Sequence, residues 1–310
     1  MRIFVTGGTG FIGHYVAREL LECGHSLTIL SRHPDKIPFL STHPNVTILE
    51  GSIYDAATIS KGIGDCEASI HIAFGWGETP LSMLENDTRA TVLILQAAAK
   101  AGCKKFIYTS STAAMGKFRT VMNENVANLP LDLYGATKAA GEAYVLGFRG
   151  TRMSRNIIRP GYTFGNPAFG PKDGVSQPDR RFAQIAQAVA TDASVHLIRN
   201  DGTQFIYAGD QAKLFRKVLD SDKNEEIFLG LGAVWISWKS ITEKALAIYT
   251  ELTGRKSGAV IEERDLGWSE RPMLYSVEKI AESFNLRFDA RAELERHIRW
   301  QLEATLASLR

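Results

Sequence analysis

A tyrosine and a lysine lie four residues apart in the segment Tyr-Gly-Ala-Thr-Lys, at Tyr134 and Lys138. On a helix this spacing places both side chains on one face, so the ammonium group can approach the phenol. A tyrosine pKa is ordinarily about 10, and a nearby positive charge lowers it by favouring the phenolate. Tyr134 could then remove a hydroxyl proton as hydride leaves the adjacent carbon, or donate one in the reverse direction. An exposed tyrosine and lysine on a surface helix are the alternative interpretation.

A glycine-rich segment near the start of the chain predicts the partner for such a hydride transfer. Residues 1–13 read MRIFVTGGTGFIG. Ile3–Val5 predict a short buried strand, and the helix predicted after the glycines turns its unpaired N–H groups towards a phosphate. Glycines between a strand and a helix allow close approach to a pyrophosphate, which favours a dinucleotide site over a purely structural turn. The predicted contacts in this turn are Gly7, Thr9, Gly10, Phe11, Ile12 and Gly13.

Strand and helix patterns alternate along the middle of the chain and must position these residues. The strands predicted after the first are 27–30, 46–49, 68–73, 105–109 and 156–159, and the predicted helices include 82–101, 131–148, 180–190, 210–220, 238–253 and 290–309. This alternation predicts an α/β fold with a doubly wound parallel sheet, whose ligands lie at the carboxyl ends of the strands. The glycine- and proline-rich stretch 161–178 is the candidate domain boundary.

Five motifs occur in an order typical of one protein family. They are Val-Thr-Gly-Gly-Thr-Gly-Phe-Ile-Gly at 5–13, Ile-His-Ile-Ala at 70–73, Phe-Ile-Tyr-Thr-Ser-Ser at 106–111, Tyr-Gly-Ala-Thr-Lys at 134–138 and Arg-Pro-Gly at 159–161. Over nearly its whole length the chain resembles an extended short-chain dehydrogenase/reductase of the NAD-dependent epimerase/dehydratase family. The resemblance implies a Rossmann-type dinucleotide-binding domain over 1–165, which also receives part of 203–240. A smaller α+β substrate domain would cover 166–310, with chain crossings between the two.

The resemblance also implies roles for individual residues. Tyr134 is the implied acid/base, and Lys138 also bonds the nicotinamide ribose. Ser111 hydrogen-bonds the reacting oxygen, with Thr112 as its nearest competitor for that role. An oxidised nicotinamide ring adds its positive charge to the effect of Lys138 on the Tyr134 pKa. Further implied cofactor contacts are Ser52, Ile53, Ala73, Phe74, Thr109 and Pro160. Many members of the family are homodimers, which here would pack the helices around 82–101 and 131–148.

The choice between NAD and NADP depends on the end of the second strand. NAD enzymes of this fold usually place an acid there to hold both ribose hydroxyls, whereas this chain has Ser31 followed by Arg32. Arg32 could pair with a 2′-phosphate and stack on the adenine, so we favour NADP over NAD. A solvated loop charge is the alternative. Ser52 also departs from the family, which commonly has an aspartate contacting adenine in this segment.

Residues that bind the diphosphate of the substrate in related enzymes are missing or changed in this chain. Related sugar-nucleotide epimerases carry an arginine before the aromatic strand at 205–207 that grips the diphosphate, but this chain has Thr203 and Gln204 there. Arg271 offers a second phosphate contact, although Ser276 replaces the aspartate expected soon after it. These departures weaken the case for a nucleotide-sugar substrate. A more apolar pocket could instead be lined by Trp76, Tyr162, Phe164 and Trp235, for which ordinary packing is the alternative.

Composition narrows the function to small-molecule chemistry. The chain has 310 residues, with 36 basic and 34 acidic side chains and a net charge of +2. The basic residues are scattered, which argues against a nucleic-acid partner. The three cysteines and seven histidines show no metal or disulfide spacing. The N-terminal apolar run is broken by glycine too early for a signal peptide or membrane span, so we expect a cytoplasmic protein without membrane contact.

Three functions remain open at this stage. The first is an epimerase or dehydratase of nucleoside-diphosphate sugars, which oxidises and re-reduces its substrate on a retained cofactor. The second is an NADPH-dependent reductase of a carbonyl compound, favoured by Arg32 and by the missing phosphate anchors. The third is a non-catalytic NAD(P)-binding sensor, which the presence of both Tyr134 and Lys138 disfavours. All enzymatic alternatives begin with the same proton transfer at Tyr134.

Overall fold

The computed structural model describes residues 1–34, 38–165 and 180–309. The strands in chain order are β1 (Arg2–Thr6), β2 (Ser26–Ser31), β3 (Val46–Glu50), β4 (Ala68–His71), β5 (Lys105–Thr109), β6 (Ser154–Pro160), β7 (Thr163–Phe164), β8 (Val195–Ile198), β9 (Gly202–Thr203), β10 (Ile206–Tyr207), β11 (Glu226–Gly230), β12 (Ile236–Ser237) and β13 (Ile261–Arg264). The helices are α1 (Phe11–Glu22), α2 (Pro38–Ser41), α3 (Ala56–Ile63), α4 (Pro80–Met83), α5 (Arg89–Lys100), α6 (Leu133–Gly147), α7 (Arg181–Ala190), α8 (Ala208–Asp220), α9 (Trp238–Thr253), α10 (Glu278–Phe284) and α11 (Arg291–Ser308). A π-helical turn covers Leu84–Thr88 and a 3-10 turn covers Thr112–Ala114.

Seven strands form one parallel sheet in the order β11-β6-β5-β4-β1-β2-β3. The chain starts in β1 and builds outwards in both directions, so β1 lies between β2 and β4. The register aligns Thr6, the last residue of β1, with Leu30 in β2 and His71 in β4. In such sheets a crevice opens beyond the carboxyl ends of the strands where their order reverses. This architecture confirms the predicted doubly wound α/β fold.

Both faces of the sheet are covered, as its side-chain alternation requires. Successive residues of a strand point to opposite faces. Ile3 and Val5 therefore pack with α1 and α8 in one core, whereas Phe4 packs with α3 and α5 in the other. All three side chains are fully buried. The two apolar layers hold the sheet rigid, and hence the positions of the strand ends.

A smaller lobe has its own core, formed mainly by α7, α9 and α11. Its aromatic centre includes Phe182, Phe205 and Trp238, with ring centroids 5.1 to 6.1 Å apart. Short strand pairs, β8 with β13 and β9 with β12, flank these helices. The chain passes from the lobe back to the sheet, where β11 pairs with β6. Among the described residues, no helix combines the length and apolar composition needed to cross a bilayer.

Two predicted segments are less regular than the sequence indicates. The helix predicted over 82–101 is present as α4, the π-helical turn and α5 in direct succession, and the turn is an irregularity that the sequence did not predict. In that turn the Arg89 N–H bonds the carbonyl of Leu84, five residues back, so one extra residue is accommodated. The predicted loop at 161–178 contains strand β7, and the rest of it from residue 166 lies outside the described residues.

Candidate active site

The turn between β1 and α1 forms a cradle that only glycine can build. Gly7 has a φ of +74°, in the left-handed region, and the Gly10 N–H donates to its carbonyl at 2.9 Å. A Cβ atom on Gly13 would lie 1.9 Å from the Gly7 carbonyl oxygen, so any side chain there would push the turn away from the helix. The helix N-terminus faces the same space, and its free N–H groups suit a phosphate. The residues present therefore fit a dinucleotide.

A cleft of about 710 Å³ opens from this cradle along the carboxyl ends of the sheet strands. It brings together most of the predicted site residues from six different strand ends. Those that line it are Gly7, Thr9, Gly10, Phe11, Ile12, Gly13, Arg32, Ser52, Ile53, Ala73, Phe74, Trp76, Thr109, Ser111, Tyr134, Lys138 and Pro160. One continuous cavity thus joins the glycine cradle to the Tyr134–Lys138 pair, which is the arrangement that a dinucleotide with a reactive end requires.

Tyr134 lies in the first turn of α6, and local interactions set its position. The Asp132 carboxylate caps the helix by accepting a hydrogen bond from the Gly135 N–H at 2.6 Å. The rings of Tyr134 and Phe74 pack at right angles, with ring centroids 5.0 Å apart. A hydrogen bond joins the Tyr134 phenol to the Ser111 hydroxyl. Tyrosine and serine are therefore placed to share one oxygen atom of a substrate between them.

The protein alone raises the pKa of Tyr134 instead of lowering it. Burial is the largest cause, because it disfavours the phenolate. The hydrogen bond from Ser111 acts in the opposite direction, and the negative charges of Asp87 and Asp132 raise the pKa further. The downward shift expected from Lys138 is thus not what this site does without a cofactor.

Lys138 is itself buried and paired. Its Nζ atom lies 3.4 Å from Oδ2 of Asp87, and the two side chains are 3% and 0% exposed. Burial lowers the pKa of Lys138, while the Asp87 carboxylate opposes that shift. Sequence reasoning missed Asp87, because it lies in the π-helical turn where a regular helix was predicted.

A second buried ion pair supports the site from behind. Arg159 on β6 binds Glu142 on α6 through two hydrogen bonds of 2.7 Å, and both side chains are nearly inaccessible. The same Glu142 carboxylate accepts hydrogen bonds from Ser110 at 2.5 Å and from Asn128 at 2.7 Å. These contacts tie the end of β5 to α6, and therefore fix Ser111 relative to Tyr134. Arg159 belongs to a motif seen in the sequence, but Glu142 gave no signal there.

The end of β2 carries the residues predicted to contact the adenosine part of a dinucleotide. Ser31 is buried, with its hydroxyl 3.1 Å from the Thr9 hydroxyl and donating to the His33 carbonyl at 3.0 Å. Arg32 is exposed and lines the cleft. Ser52 accepts a hydrogen bond from the Tyr54 N–H at 3.3 Å. A neutral serine and an exposed arginine therefore occupy the place where an acid was expected for NAD.

Three predicted substrate residues lie away from this cleft. Tyr162 packs into the lobe core against Phe205 and Trp238, at 4.8 and 5.5 Å between ring centroids. Thr112 hydrogen-bonds Tyr275, and Arg271 lines a different cavity of about 280 Å³.

That second cavity, here called the lobe cavity, lies beside Thr112, next in the chain to Ser111. Its walls are mostly aromatic or apolar, and they come from segments far apart in the chain. They include Phe118, Thr203, Gln204, Trp235, Trp268, Arg271, Pro272, Met273 and Tyr275. Phe164, also predicted for an apolar pocket, is instead buried in the lobe core.

Comparison with known proteins agrees with this arrangement. A model of the NAD dependent epimerase/dehydratase family matches residues 3–230. A UDP-N-acetyl-alpha-D-glucosaminuronate decarboxylase of Bacillus cytotoxicus is 29% identical over 285 residues, which cover 84% of this chain and 82% of that one. A 3 beta-hydroxysteroid dehydrogenase/Delta 5-->4-isomerase of Mycobacterium tuberculosis is also 29% identical, over 184 residues. That match covers 53% of this chain and 48% of the dehydrogenase, so the chain spans about half of its length.

Solved structures extend the likeness to the whole chain. The UDP-glucose 4-epimerase of Thermotoga maritima superposes with a TM-score of 0.77 over 100% of both chains, at 20% sequence identity. At that identity the likeness establishes the fold and nothing finer.

Proposed function

The chain belongs to the NAD-dependent epimerase/dehydratase family, and on that premise we propose that it is an NAD(P)-dependent oxidoreductase whose acid/base is Tyr134. The observation that carries the proposal is the single cleft that joins the glycine cradle to Tyr134, Lys138 and Ser111. Its far end holds a phenol, an ammonium and a hydroxyl, and its near end is shaped for a pyrophosphate. A sugar-like carbinol or a carbonyl carbon would react between them.

The residues at the far end of the cleft have distinct roles in this proposal. Ser111 donates a hydrogen bond to the reacting oxygen and Tyr134 exchanges a proton with it. Lys138 holds the nicotinamide ribose with the N–H groups that Asp87 leaves available. A bound nicotinamide supplies or accepts the hydride. Phe74 packs against the Tyr134 ring and so limits its orientation.

Nucleoside-diphosphate sugars are the substrate class that family membership favours. The decarboxylase from Bacillus cytotoxicus, which matches most of the chain, is named for a UDP-sugar acid. Arg271 is the positive group that the lobe cavity offers to a phosphate. Within this proposal the chemistry is an epimerisation or dehydration that leaves the cofactor in its starting redox state.

A specific observation favours a second candidate, an NADPH-dependent reductase of a carbonyl compound. Gln204, which follows the position of the expected diphosphate arginine, is buried and fully occupied by the protein. Its amide donates to the carbonyls of Gly232 and Tyr275 at 3.0 and 3.1 Å, and its oxygen accepts from the Tyr275 N–H at 2.7 Å. With Gln204 so engaged, the aromatic lobe cavity suits an apolar substrate better than a diphosphate.

The cofactor of this candidate follows from the β2 terminus. Ser31 brings no negative charge towards the ribose, and exposed Arg32 lines the cleft, so a 2′-phosphate would meet attraction instead of repulsion. We therefore propose NADP over NAD.

We also propose a cytoplasmic homodimer. Large apolar side chains are exposed on α4, on the π-helical turn, on α6 and just before α6, and these three elements pack against one another. They are Leu81, Leu84, Leu131, Leu133 and Tyr144. A second copy of the same surface would cover them.

Replacement of Tyr134 by phenylalanine tests the catalytic assignment. Tyr134→Phe should reduce kcat by about 10²–10⁴-fold, the usual contribution of a general acid or base, with the cofactor Kd little changed. Tyr144→Phe is the matched control, because Tyr144 lies on the same helix but does not line the cleft. Turnover that survives in Tyr134→Phe would show that Tyr134 is not the acid/base.

Identification of the bound nucleotide separates the two candidates. The protein is purified without added cofactor and denatured, and the released nucleotide is identified by mass spectrometry. Stoichiometric NAD supports the epimerase or dehydratase. An empty protein that binds NADP in preference to NAD supports the reductase.

A further inference from the structure

Asp87 is a fully buried carboxylate that the proposed mechanism does not require. Its Oδ2 atom lies 3.4 Å from Lys138 Nζ, and its Oδ1 atom accepts a hydrogen bond from the Gly75 N–H at 3.1 Å. Burying an ion pair removes both groups from water, and the desolvation penalty can exceed the attraction. A neutral side chain could bind the same two donors at lower desolvation cost. The negative charge itself therefore calls for an explanation.

Asp87 reaches Lys138 because it lies in an irregular, π-helical turn. The π-helical turn accommodates one more residue than a regular turn, and this turn carries Asp87 between α6 and the loop after β4. The loop is fitted closely to it: a Cβ atom on Gly75 would lie 1.9 Å from the Asn86 carbonyl oxygen. The Asn86 amide also donates to the Trp76 carbonyl at 2.6 Å. Asp87 is thus held against Lys138 from two sides.

Among the titratable groups around Lys138, Asp87 is the one that balances its positive charge. Glu142 lies one helical turn further along α6, but Arg159 binds it through two hydrogen bonds. His71, in the sheet below, is fully buried, and burial together with the Lys138 charge lowers its pKa to about 3, so it is neutral.

The groups nearer to Tyr134 fit the same account. Asp132 caps α6 at an exposed position, where water screens its charge. Tyr108 faces Lys138 with its ring, and burial keeps its pKa well above the ordinary value, so it carries no charge.

We propose that Asp87 is a positioning residue that cancels the charge of Lys138 and thereby keeps Tyr134 in its protonated, proton-donating form. This inference rests on the proposed function and deepens its second candidate, the carbonyl reductase. A site with a protonated phenol is prepared for reduction: the carbonyl carbon gains hydride from a reduced nicotinamide, and its oxygen takes the Tyr134 proton. One hydroxyl forms and one phenolate remains, which then takes a proton from water. Lys138 without its partner would instead favour phenolate, the form that withdraws a proton from a hydroxyl.

The test is the ionisation of Tyr134 in the protein without cofactor. NMR of protein with isotope-labelled tyrosine, with the Tyr134 signal identified by its loss in Tyr134→Phe, follows this residue through a pH titration. Asp87→Asn keeps the size of the side chain and an oxygen for the Gly75 N–H. We expect it to lower the Tyr134 pKa by about one unit or more, the usual effect of a charge within a few ångströms. Asp132→Asn is the matched control and should shift it much less, because Asp132 is exposed.

An unchanged or higher Tyr134 pKa in Asp87→Asn overturns the inference, as does an equal shift in Asp132→Asn. Removing one partner of a buried ion pair is strongly destabilising, so Asp87→Asn is also checked for folding. If it does not fold, the double substitution Asp87→Asn, Lys138→Met decides, because it leaves no unpaired buried charge. The inference then predicts a Tyr134 pKa near the wild-type value, since the two removed charges cancelled each other, and a shift of about one unit or more contradicts it. Loss of the proposed function would show separately, as turnover that persists in Tyr134→Phe.

Discussion

The cleft beside the glycine cradle and the lobe cavity owe their shapes to different parts of the chain. The cleft takes its shape from backbone: consecutive strand ends of one sheet, a left-handed Gly7 and the tight approach of Gly13 to the turn. The lobe cavity takes its shape from side chains that arrive from segments as distant as 118 and 275. Backbone geometry of this kind tolerates few residue types, whereas a wall of side chains changes with each substitution. In the proposed function the cleft supplies the chemistry and the lobe cavity selects the substrate.

The two regions also differ in how they handle charge. Under the cleft, Lys138 pairs with Asp87 and Arg159 pairs with Glu142, all four buried. At the lobe cavity, Arg271 is exposed and the buried polar group is a neutral amide, Gln204. Strong electrostatic effects on a ligand are therefore expected at the cleft, where water is excluded, and weaker ones at the cavity.

Acid should test whether burial acts alike in the sheet and the lobe. Each region holds a buried histidine with a lowered pKa: burial lowers the pKa of His71 in the sheet to about 3 and that of His297 in the lobe to about 4. An unfolded histidine has a pKa of about 6.5, so below that pH the unfolded chain binds more protons. The contribution of these two histidines to the free energy of unfolding is therefore fully present above about pH 6.5. It declines as the pH falls towards the folded pKa values.

Each unit of pKa difference corresponds to about 1.4 kcal/mol, so the expected loss amounts to a few kcal/mol. Urea denaturation at about pH 7 and about pH 4.5 measures it. Because both folded values lie below pH 4.5, His71→Gln and His297→Gln should each remove a similar part of the pH dependence. A pH dependence that only one of the two substitutions reduces would show that the other histidine is not kept neutral by burial.

Gly13→Ala should break the cleft while sparing the lobe cavity. The added Cβ atom lies 1.9 Å from the Gly7 carbonyl oxygen, so α1 must move away from the turn. We expect the free energy of unfolding to fall by about 1–3 kcal/mol and the cofactor Kd to rise at least tenfold. Gly147→Ala is the matched control, because nothing lies within 4 Å of a Cβ at that position. Calorimetric titration with NAD and NADP gives both constants, and a cofactor Kd that stays at the wild-type value in Gly13→Ala contradicts the cradle.

Arg271→Gln should affect the substrate without affecting the cofactor. Because Arg271 lines the lobe cavity but not the cleft, we expect KM for an anionic substrate to rise about tenfold. The cofactor Kd and kcat should stay near their wild-type values. Lys256→Gln, an exposed lysine of the same lobe outside the cavity, serves as the control. A cofactor Kd that rises with KM would show that the two sites are not separate.

Arg32→Ala should produce the smallest change, confined to one end of the cofactor. An exposed arginine facing a phosphate contributes modestly, so we expect NADP binding to weaken about tenfold and NAD binding much less. Added salt should reduce the difference, since it screens an exposed charge. Fluorescence titration with both nucleotides measures the two affinities. Equal losses for NAD and NADP would remove Arg32 from the choice of cofactor.

Much of the cleft follows from local sequence. The glycine turn, the strand before it and the four-residue spacing of Tyr134 and Lys138 each express a short-range rule of backbone or helix geometry. The strand ends carry the remaining cofactor residues, because parallel strands of one sheet all end at the same edge. For that reason most of the site residues predicted from sequence line a single cavity.

The predictions that differ from the structure depended on contacts between distant segments. Tyr162 follows β6 directly, yet it turns into the lobe core and packs on Trp238, which lies 76 positions later in the chain. Asp87 is an ordinary polar residue of a predicted helix, and only the π-helical turn brings it to Lys138. The hydrophobic periodicity of the sequence could not predict either position, because both result from the packing of elements that are remote in sequence.

The sequence by itself therefore determined the α/β sheet, the dinucleotide cradle and the Tyr134–Lys138 pair, since these depend on backbone geometry over a few residues. The tertiary structure alone decided the charge balance at that pair and the shape of the lobe cavity. Burial and long-range contacts set both of them: Asp87 acts on Lys138 across 51 positions of sequence because water is excluded between them.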